Sequence, residues 1–342
     1  MKKYLSLSML LLFIYGIHPI NAQHQPEKYM DSVYAAQQFN GNVLVVKNNK
    51  VILEKSYGYS DGSQLQPLTS EYTFVIGSIY KEFVGVSIMQ LQEKGLLNVE
   101  DKVNSYLPDL PSWSKEVTIK NLLQYSSGLN LVNWRSYFRN GTQITNALLL
   151  EEIKQDTLQF SPGTDYLYSN KNPFLLMNIV EMVSGVDFNT YVQEEIFKPL
   201  GMKHTYIAAA FPYSDRTFKA IPYNKEFKED NTPIALSGVL INTTAKDLVI
   251  WMQKLDDFKL ISKSSVQLLS QTAIEGHNVQ APLGRVVWEN KKLISHTHHG
   301  KSGNYEAIIK RYKKDGVMVV LLTNQANNNV HDISEELYRP VK

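Results

Sequence analysis

The sequence contains no cysteine among its 342 residues. That absence excludes a disulfide framework, thiol catalysis, Cys-ligated zinc, iron–sulfur clusters and a lipid-modified cysteine near the N-terminus. Net charge is also scarce: 35 Lys and Arg stand against 33 Asp and Glu, a formal +2. Lys2 and Lys3 make up the excess, and residues 1–22 hold no acid, so the remainder balances to zero. A chain without a basic run offers no footprint for a phosphate backbone, and nucleic acid is not an expected partner. Beyond the leader, no segment approaches the ~18 continuous apolar residues that a membrane-spanning helix needs. Internal repeats and low-complexity tracts are absent too. What is present, 43% hydrophobic and 20% charged residues, is the composition of a globular chain able to bury a full core.

The first residues have the three-part layout of a secretory signal peptide. Lys2 and Lys3 precede an apolar stretch, Leu5 to Ile17, and Pro19-Ile20-Asn21-Ala22 follows. Residues 1–22 are therefore expected to be removed, leaving an exported, periplasmic or secreted protein that begins near Gln23 and has no stable membrane span.

Apolar runs at Val43–Val46 and Val51–Leu53 flank Lys47-Asn48-Asn49-Lys50, which suits a hairpin. Arg285–Glu289, Leu293–His298, Tyr305–Tyr312 and Val317–Thr323 read as four more strands, with Asp315-Gly316 as the last turn. Helical spacing marks Ile79–Lys94, Ile119–Tyr125, Pro173–Ser184, Asn189–Phe197, Ala245–Leu255 and Val330–Tyr338. Strands at both ends with helices between them predict an α/β (α+β) fold. Residues 23–80 and 236–342 would form a domain with an antiparallel sheet flanked by helices, and 81–235 an inserted, mainly helical domain.

Three short segments carry chemistry. In Gly77-Ser78-Ile79-Tyr80-Lys81 the serine and lysine share one face at a helix start, one turn apart. Burial and the positive helix end both disfavour the ammonium form, so Lys81 could take the serine proton near neutral pH. A serine hydroxyl is a weak nucleophile until such a base stands beside it. Ser78 could equally cap the helix without reacting. The same spacing recurs in Ser112-Trp113-Ser114-Lys115, but there it follows Pro111 and leads into no long apolar helix. The second segment, Tyr168-Ser169-Asn170, precedes a helix expected to start with Pro173. A phenol there can relay a proton and an amide can orient a substrate, unless Tyr168 packs and Asn170 or Asn172 caps. The third is His296-Thr297-His298-His299-Gly300-Lys301. Three imidazoles suggest a metal, yet strand alternation sends His298 and His299 to opposite faces. The other reading uses Gly300 for close approach to a ligand and the next backbone N–H as an oxyanion donor.

These segments, in this order, resemble the penicillin-recognising serine hydrolases, whose motifs include Ser-x-x-Lys. The resemblance lies with the branch holding class C β-lactamases, D-alanyl-D-alanine carboxypeptidases, D-aminopeptidases and β-lactamase-like esterases. It runs through FNGNVLVVKNNKVILEKSYGYSD, TIKNLLQYSSGL, FSPGTDYLYSN, IFKPLGMKHT and INTTAKDLVIWMQKL, nearly the whole chain after the leader. The resemblance implies a serine hydrolase that forms a covalent acyl-enzyme on Ser78 and cleaves an amide or ester, of a D-Ala-D-Ala-type or D-amino-acid peptide or a small ester; the alternatives are a β-lactamase or acyltransferase using the same site, or a non-catalytic penicillin-binding protein. Lys81 would be the base, and Tyr168 would protonate the leaving group and later activate water. Asn170 would bond the substrate amide or Lys81, His298 would bind substrate beside Gly300, and the backbone N–H groups of Ser78 and Lys301 would form the oxyanion hole. The partner is a small-molecule or peptide substrate. No metal or organic cofactor is implied, because the chain supplies nucleophile, base and oxyanion donors. Tyr-Ser-Asn with His298-His299-Gly300 is closer to carboxypeptidase and esterase members than to dedicated β-lactamases. Asn133, Trp134, Tyr137, Phe138, Phe211, Tyr213 and Trp288 are candidates for a pocket lining.

Overall fold

The computed structural model describes residues 24–274 and 282–342. The leader expected at 1–22 lies outside the described residues. Six antiparallel strands form the main sheet, in the order Lys50–Tyr57, Gly41–Lys47, Val317–Thr323, Tyr305–Tyr312, Lys292–Ser302 and Arg285–Glu289. Both ends of the chain thus meet in one sheet, because Gly41–Lys47 pairs with Val317–Thr323.

Antiparallel sheets often leave one face wet, and their strands then alternate apolar with polar residues. Here helices cover both faces, so Val43–Val46 and Val317–Leu322 are continuously apolar. On one side Val43, Val45, Ile308, Val319 and Leu321 pack against Met30 and Val33 of the helix His24–Ala35 and Ile333 and Leu337 of Val330–Tyr338. On the other, Leu44, Ile309, Val320 and Leu322 join the larger core with Phe83, Val84 and Ile88.

Those last residues belong to the central helix, Tyr80–Glu93, in which every residue from Lys81 to Met89 is buried. A helix apolar around its whole circumference has no solvent face to present. The helix Ala245–Asp256 lies alongside and stacks Trp251 on Phe83, ring centroids 3.9 Å apart. A small three-stranded sheet joins Phe74–Val75, Ile241–Thr243 and Tyr206–Ile207, and its first strand leads directly into Gly77.

Several boundaries differ from expectation, and three of them bear on the site. The central helix begins with a 3-10 turn, Gly77–Ile79, since Gly77 has φ +51 and cannot continue an α-helix backwards. The strand expected to end at His298 runs to Ser302, because Gly300 and Lys301 stay in the ladder opposite Ala307 and Glu306. The helix expected to start with Pro173 starts at Lys171, with the proline still inside the first turn, where its missing N–H costs no bond.

Ile308 is fully buried between the sheet and the two terminal helices. Ile308→Ala should lower stability by about 2–5 kcal/mol. Leu65→Ala, at a position 78% exposed, should change it by no more than ~0.5 kcal/mol. Urea unfolding of the two variants checks both.

Candidate active site

Ser78 sits in the 3-10 turn and Lys81 in the first α turn that follows. The Lys81 Nζ donates to Ser78 Oγ at 2.9 Å. Lys81 is 3% exposed, and burial lowers its pKa to about 7. The rings of Tyr80 and Tyr168 flank the amine, 4.8 and 4.6 Å from their centroids. The residue before the 3-10 turn is Ile76, so Ser78 does not occupy the capping position. The competing pair offers a contrast: Ser112 and Lys115 are both exposed, and nothing there removes the lysine from water.

Tyr168 and Asn170 lie on the turn leading into the helix Lys171–Ser184, and the flanking residues pin that turn. Ser169 Oγ donates to the Asn130 carbonyl at 2.6 Å. Buried Lys171 pairs with Asp156 at 2.8 Å and Glu152 at 2.9 Å. Asn172 accepts from Ser127 Oγ at 2.6 Å and donates to the Ser169 carbonyl at 3.0 Å. Asn170 stands in the capping position, yet its side chain makes no capping bond. Its Oδ1 and the Tyr168 hydroxyl are shielded from solvent without a hydrogen-bond partner. Such groups are costly to leave unpaired, which marks them as places where a ligand can bond. Burial pushes the Tyr168 phenol up to about 12, and the nearby Ser78 hydroxyl only partly offsets it.

The strand Lys292–Ser302 closes the site from the other side. A side chain on Gly300 would place its Cβ 2.0 Å from the Ile76 carbonyl oxygen and 2.7 Å from Ser78 N. One on Gly77 would meet Lys301 N at 2.4 Å. The two glycines therefore let two backbones touch, bringing the N–H groups of Ser78 and Lys301 to one place. The sequence reading assigned Gly300 to close approach of a ligand. In the structure the close approach is to the Ile76–Ser78 backbone.

His298 and His299 do point to opposite sides of the strand. His299 Nε2 meets Glu306 Oε1 at 2.9 Å. His298 turns inward, where its Nδ1 meets Glu82 Oε1 at 2.7 Å, and His296 Nε2 meets the same oxygen at 3.1 Å. Burial by itself would raise the Glu82 pKa, but His296 and His298 outweigh it and hold the carboxyl at about 2. Sequence reasoning missed Glu82. The signal was a carboxylate inside an otherwise apolar helix, which demands a buried partner.

A cleft of about 240 Å³ opens on Ser78, Lys81, Asn170 and Lys301. Its walls include Trp134, Phe138, Leu149, Phe174, Met177 and Leu236. Of the aromatic candidates, Trp134 and Phe138 reach it. Phe211 is core, Tyr213 donates to Asn242 Oδ1, and Trp288 stacks on Phe258. A larger cavity of about 810 Å³ near Phe39, Asn40 and Tyr223 shares no lining residue with the cleft.

The sequence profile of the family described as Beta-lactamase matches residues 27–339. The chain belongs to the β-lactamase family. Penicillin-binding protein 4* of Bacillus subtilis (strain 168) is 26% identical over 341 residues, covering 91% of this chain and 74% of that protein. Solved structures of β-lactamase relatives share the fold. A penicillin-binding protein from Bacillus halodurans superposes with TM-score 0.79 at 21% identity, over 90% of this chain and 99% of that one. A class C β-lactamase gives 0.78 at 19% identity, over 95% and 99%. Among the described residues, no helix is long and apolar enough to cross a membrane.

Lysine normally titrates near 10.5, so folding drives the proton off Lys81. Between about 7 and that value the unfolded chain holds a proton that the folded one has lost, so burial of Lys81 destabilises the fold there and at lower pH. Lys81→Met should be more stable than wild type below about pH 7, and the gain should fade as pH rises toward 10.5. Unfolding midpoints of both proteins across that range check it. A difference that stays constant with pH would mean that Lys81 keeps its ordinary pKa.

Proposed function

We propose that the protein is an exported serine hydrolase that cleaves an amide or ester, of a D-amino-acid peptide or a small ester, through an acyl-enzyme on Ser78. The observation that carries this reading is the 2.9 Å contact between Ser78 Oγ and a buried lysine whose pKa is lowered to about 7. Lys81 takes the hydroxyl proton as Oγ attacks the substrate carbonyl carbon. The oxygen of the tetrahedral intermediate lies between the N–H groups of Ser78 and Lys301. Tyr168, a neutral phenol with its pKa pushed up to about 12, gives its proton to the departing amine or alcohol and recovers it from Lys81. Base and acid are separated because burial acts oppositely on an ammonium and a phenol. Water then enters and attacks the acyl carbon as Lys81 takes its proton, and Lys81 returns that proton to Ser78 Oγ as the acid departs. Asn170 holds the substrate with its unpaired Oδ1. The apolar walls of the cleft favour an uncharged acyl group. The leader sequence and the family's penicillin-binding members support export and a peptide-like substrate.

Intact-mass spectrometry after incubation with a penicillin should show an adduct on Ser78 that is absent from Ser78→Ala. Turnover of a chromogenic ester by Ser78→Ala would remove the nucleophile assignment. The kcat/KM of wild type should rise with pH through about 7, as Lys81 loses its proton. Gly300→Ala should force Lys301 away from Ser78 and lower kcat by about 10²–10³ while the fold, followed by circular dichroism, persists.

A further inference from the structure

Four chain segments, residues 34–40, 59–64, 223–227 and 325–329, enclose the cavity of about 810 Å³ beside the start of the strand Gly41–Lys47. Fully buried Asn324 ties them together. Its Oδ1 accepts from Asn40 Nδ2 at 2.6 Å, its Nδ2 donates to the Ser60 and Ile221 carbonyls at 3.0 and 2.9 Å, and its own carbonyl accepts from Tyr223 N at 2.9 Å. The volume lies within the range of about 300–1,000 Å³ usual for small-molecule sites. A frame fixed in advance also lowers the ordering cost of binding. The cavity stands apart from the catalytic cleft. Lys301 pairs with Glu306, Glu306 with Thr323, and Thr323 with Gly41, so three strand spacings, about 14 Å, separate Lys301 from the chain next to Asn40.

Two kinds of side chain dominate its walls. Tyr34, Phe39, Tyr59, Tyr223 and Phe227 supply aromatic rings, and the polar side chains are otherwise amides. Among the described lining residues Lys225 alone is charged. Three of the amides are fixed through their nitrogens. Gln325 Nε2 donates to the Asn224 carbonyl at 3.2 Å, Asn327 Nδ2 to the Gln325 carbonyl at 3.2 Å, and Asn329 Nδ2 to the Gln38 carbonyl at 2.8 Å. A backbone carbonyl can only accept, so each of these side chains keeps its oxygen free to accept from a ligand. Asn329 even stands in the capping position of the helix Val330–Tyr338 and makes no capping bond. Tyr223 is only 1% exposed, and its hydroxyl has no hydrogen-bond partner among the described residues. Gln37, Gln64 and Phe227 hold φ of +57, +58 and +61, a backbone uncommon for residues other than glycine that gathers at ligand sites.

We propose that this cavity binds a neutral saccharide. A sugar ring offers C–H faces to stack on aromatic rings and hydroxyls to donate to the fixed amide oxygens. A phosphate or carboxylate ligand would call for more cations than Lys225. A hydrocarbon would leave the amides and the Tyr223 hydroxyl unpaired at a cost. An extended peptide would seek a strand edge for its backbone, whereas these walls come from turns and a helix end.

Saturation-transfer NMR of the full chain with N,N′-diacetylchitobiose, maltose and cellobiose tests the proposal. At least one sugar should bind with a Kd of about 1 mM or tighter. Tyr223→Phe keeps the ring and loses the hydroxyl, and should weaken that binding about fivefold, the size of one hydrogen bond. Phe227→Ala removes a stacking face at a position 46% exposed, and should weaken it about tenfold. Asn327→Ala removes one fixed acceptor and keeps the test open if Tyr223→Phe fails to fold. Ser78→Ala should bind as wild type does, because cavity and cleft share no lining residue. The readout needs no turnover, so it stands or falls apart from the Ser78 chemistry. Transfer to none of the three sugars overturns the proposal, as does transfer to neutral trialanine amide alone, which would make the ligand a peptide. Binding that Phe227→Ala and Asn327→Ala leave unchanged overturns it as well.

Discussion

Where Gly77 meets Gly300, two backbones run closer than any side chain would allow, and the geometry of the site depends on that contact. The strand Lys292–Ser302 is held in the main sheet by its pairing with Tyr305–Tyr312, and Gly77 follows a strand of the smaller sheet. The seam therefore sets the position of the Ser78 and Lys301 N–H groups from two rigid sheets. It also sets where the central helix begins, and hence where Lys81 stands. A methyl group at either glycine would meet backbone atoms, which cannot swing away as a side chain can.

The second constraint is charge. Lys81, Glu82, His296, His298 and Asp256 are all buried around one end of the central helix. Isolated charges there would be prohibitive. The arrangement balances when Glu82 and Asp256 are negative, His296 is positive, and Arg311 reaches Asp256 Oδ2 at 3.7 Å. Lys81 and His298 then have no counter-charge of their own, and burial lowers the pKa of each. A neutral amine beside a serine is a base, and a neutral imidazole fixed by a carboxylate is an oriented polar group. The same electrostatic balance thus accounts for both.

Much of the architecture could be read in advance because it follows from local periodicity. Tyr305–Tyr312, Val317–Thr323 and Val330–Tyr338 appear with the bounds expected of them. The misplaced ends have tertiary causes. Lys292–Ser302 outruns its apolar pattern because a partner strand continues to pair with it, and Lys171 joins its helix because Asp156 and Glu152 hold its amine. Glu82 went unread, and His296 was weighed only as a metal ligand, for a related reason. Each looks like a surface or ligand residue by type, and only their meeting across 214 positions makes them a buried pair.

The sequence by itself determined which segments would be strands or helices, that both termini would share one sheet, and which serine heads an apolar helix. Ser78 and Lys81 were legible because a helix places residues three apart on one face whatever surrounds it. Tertiary structure alone decided the burial of the lysine, the approach of Lys301 to Ser78, and the meeting of His296 and His298 at Glu82. Those properties depend on burial and on which donors and acceptors meet, and neither is a function of sequence spacing.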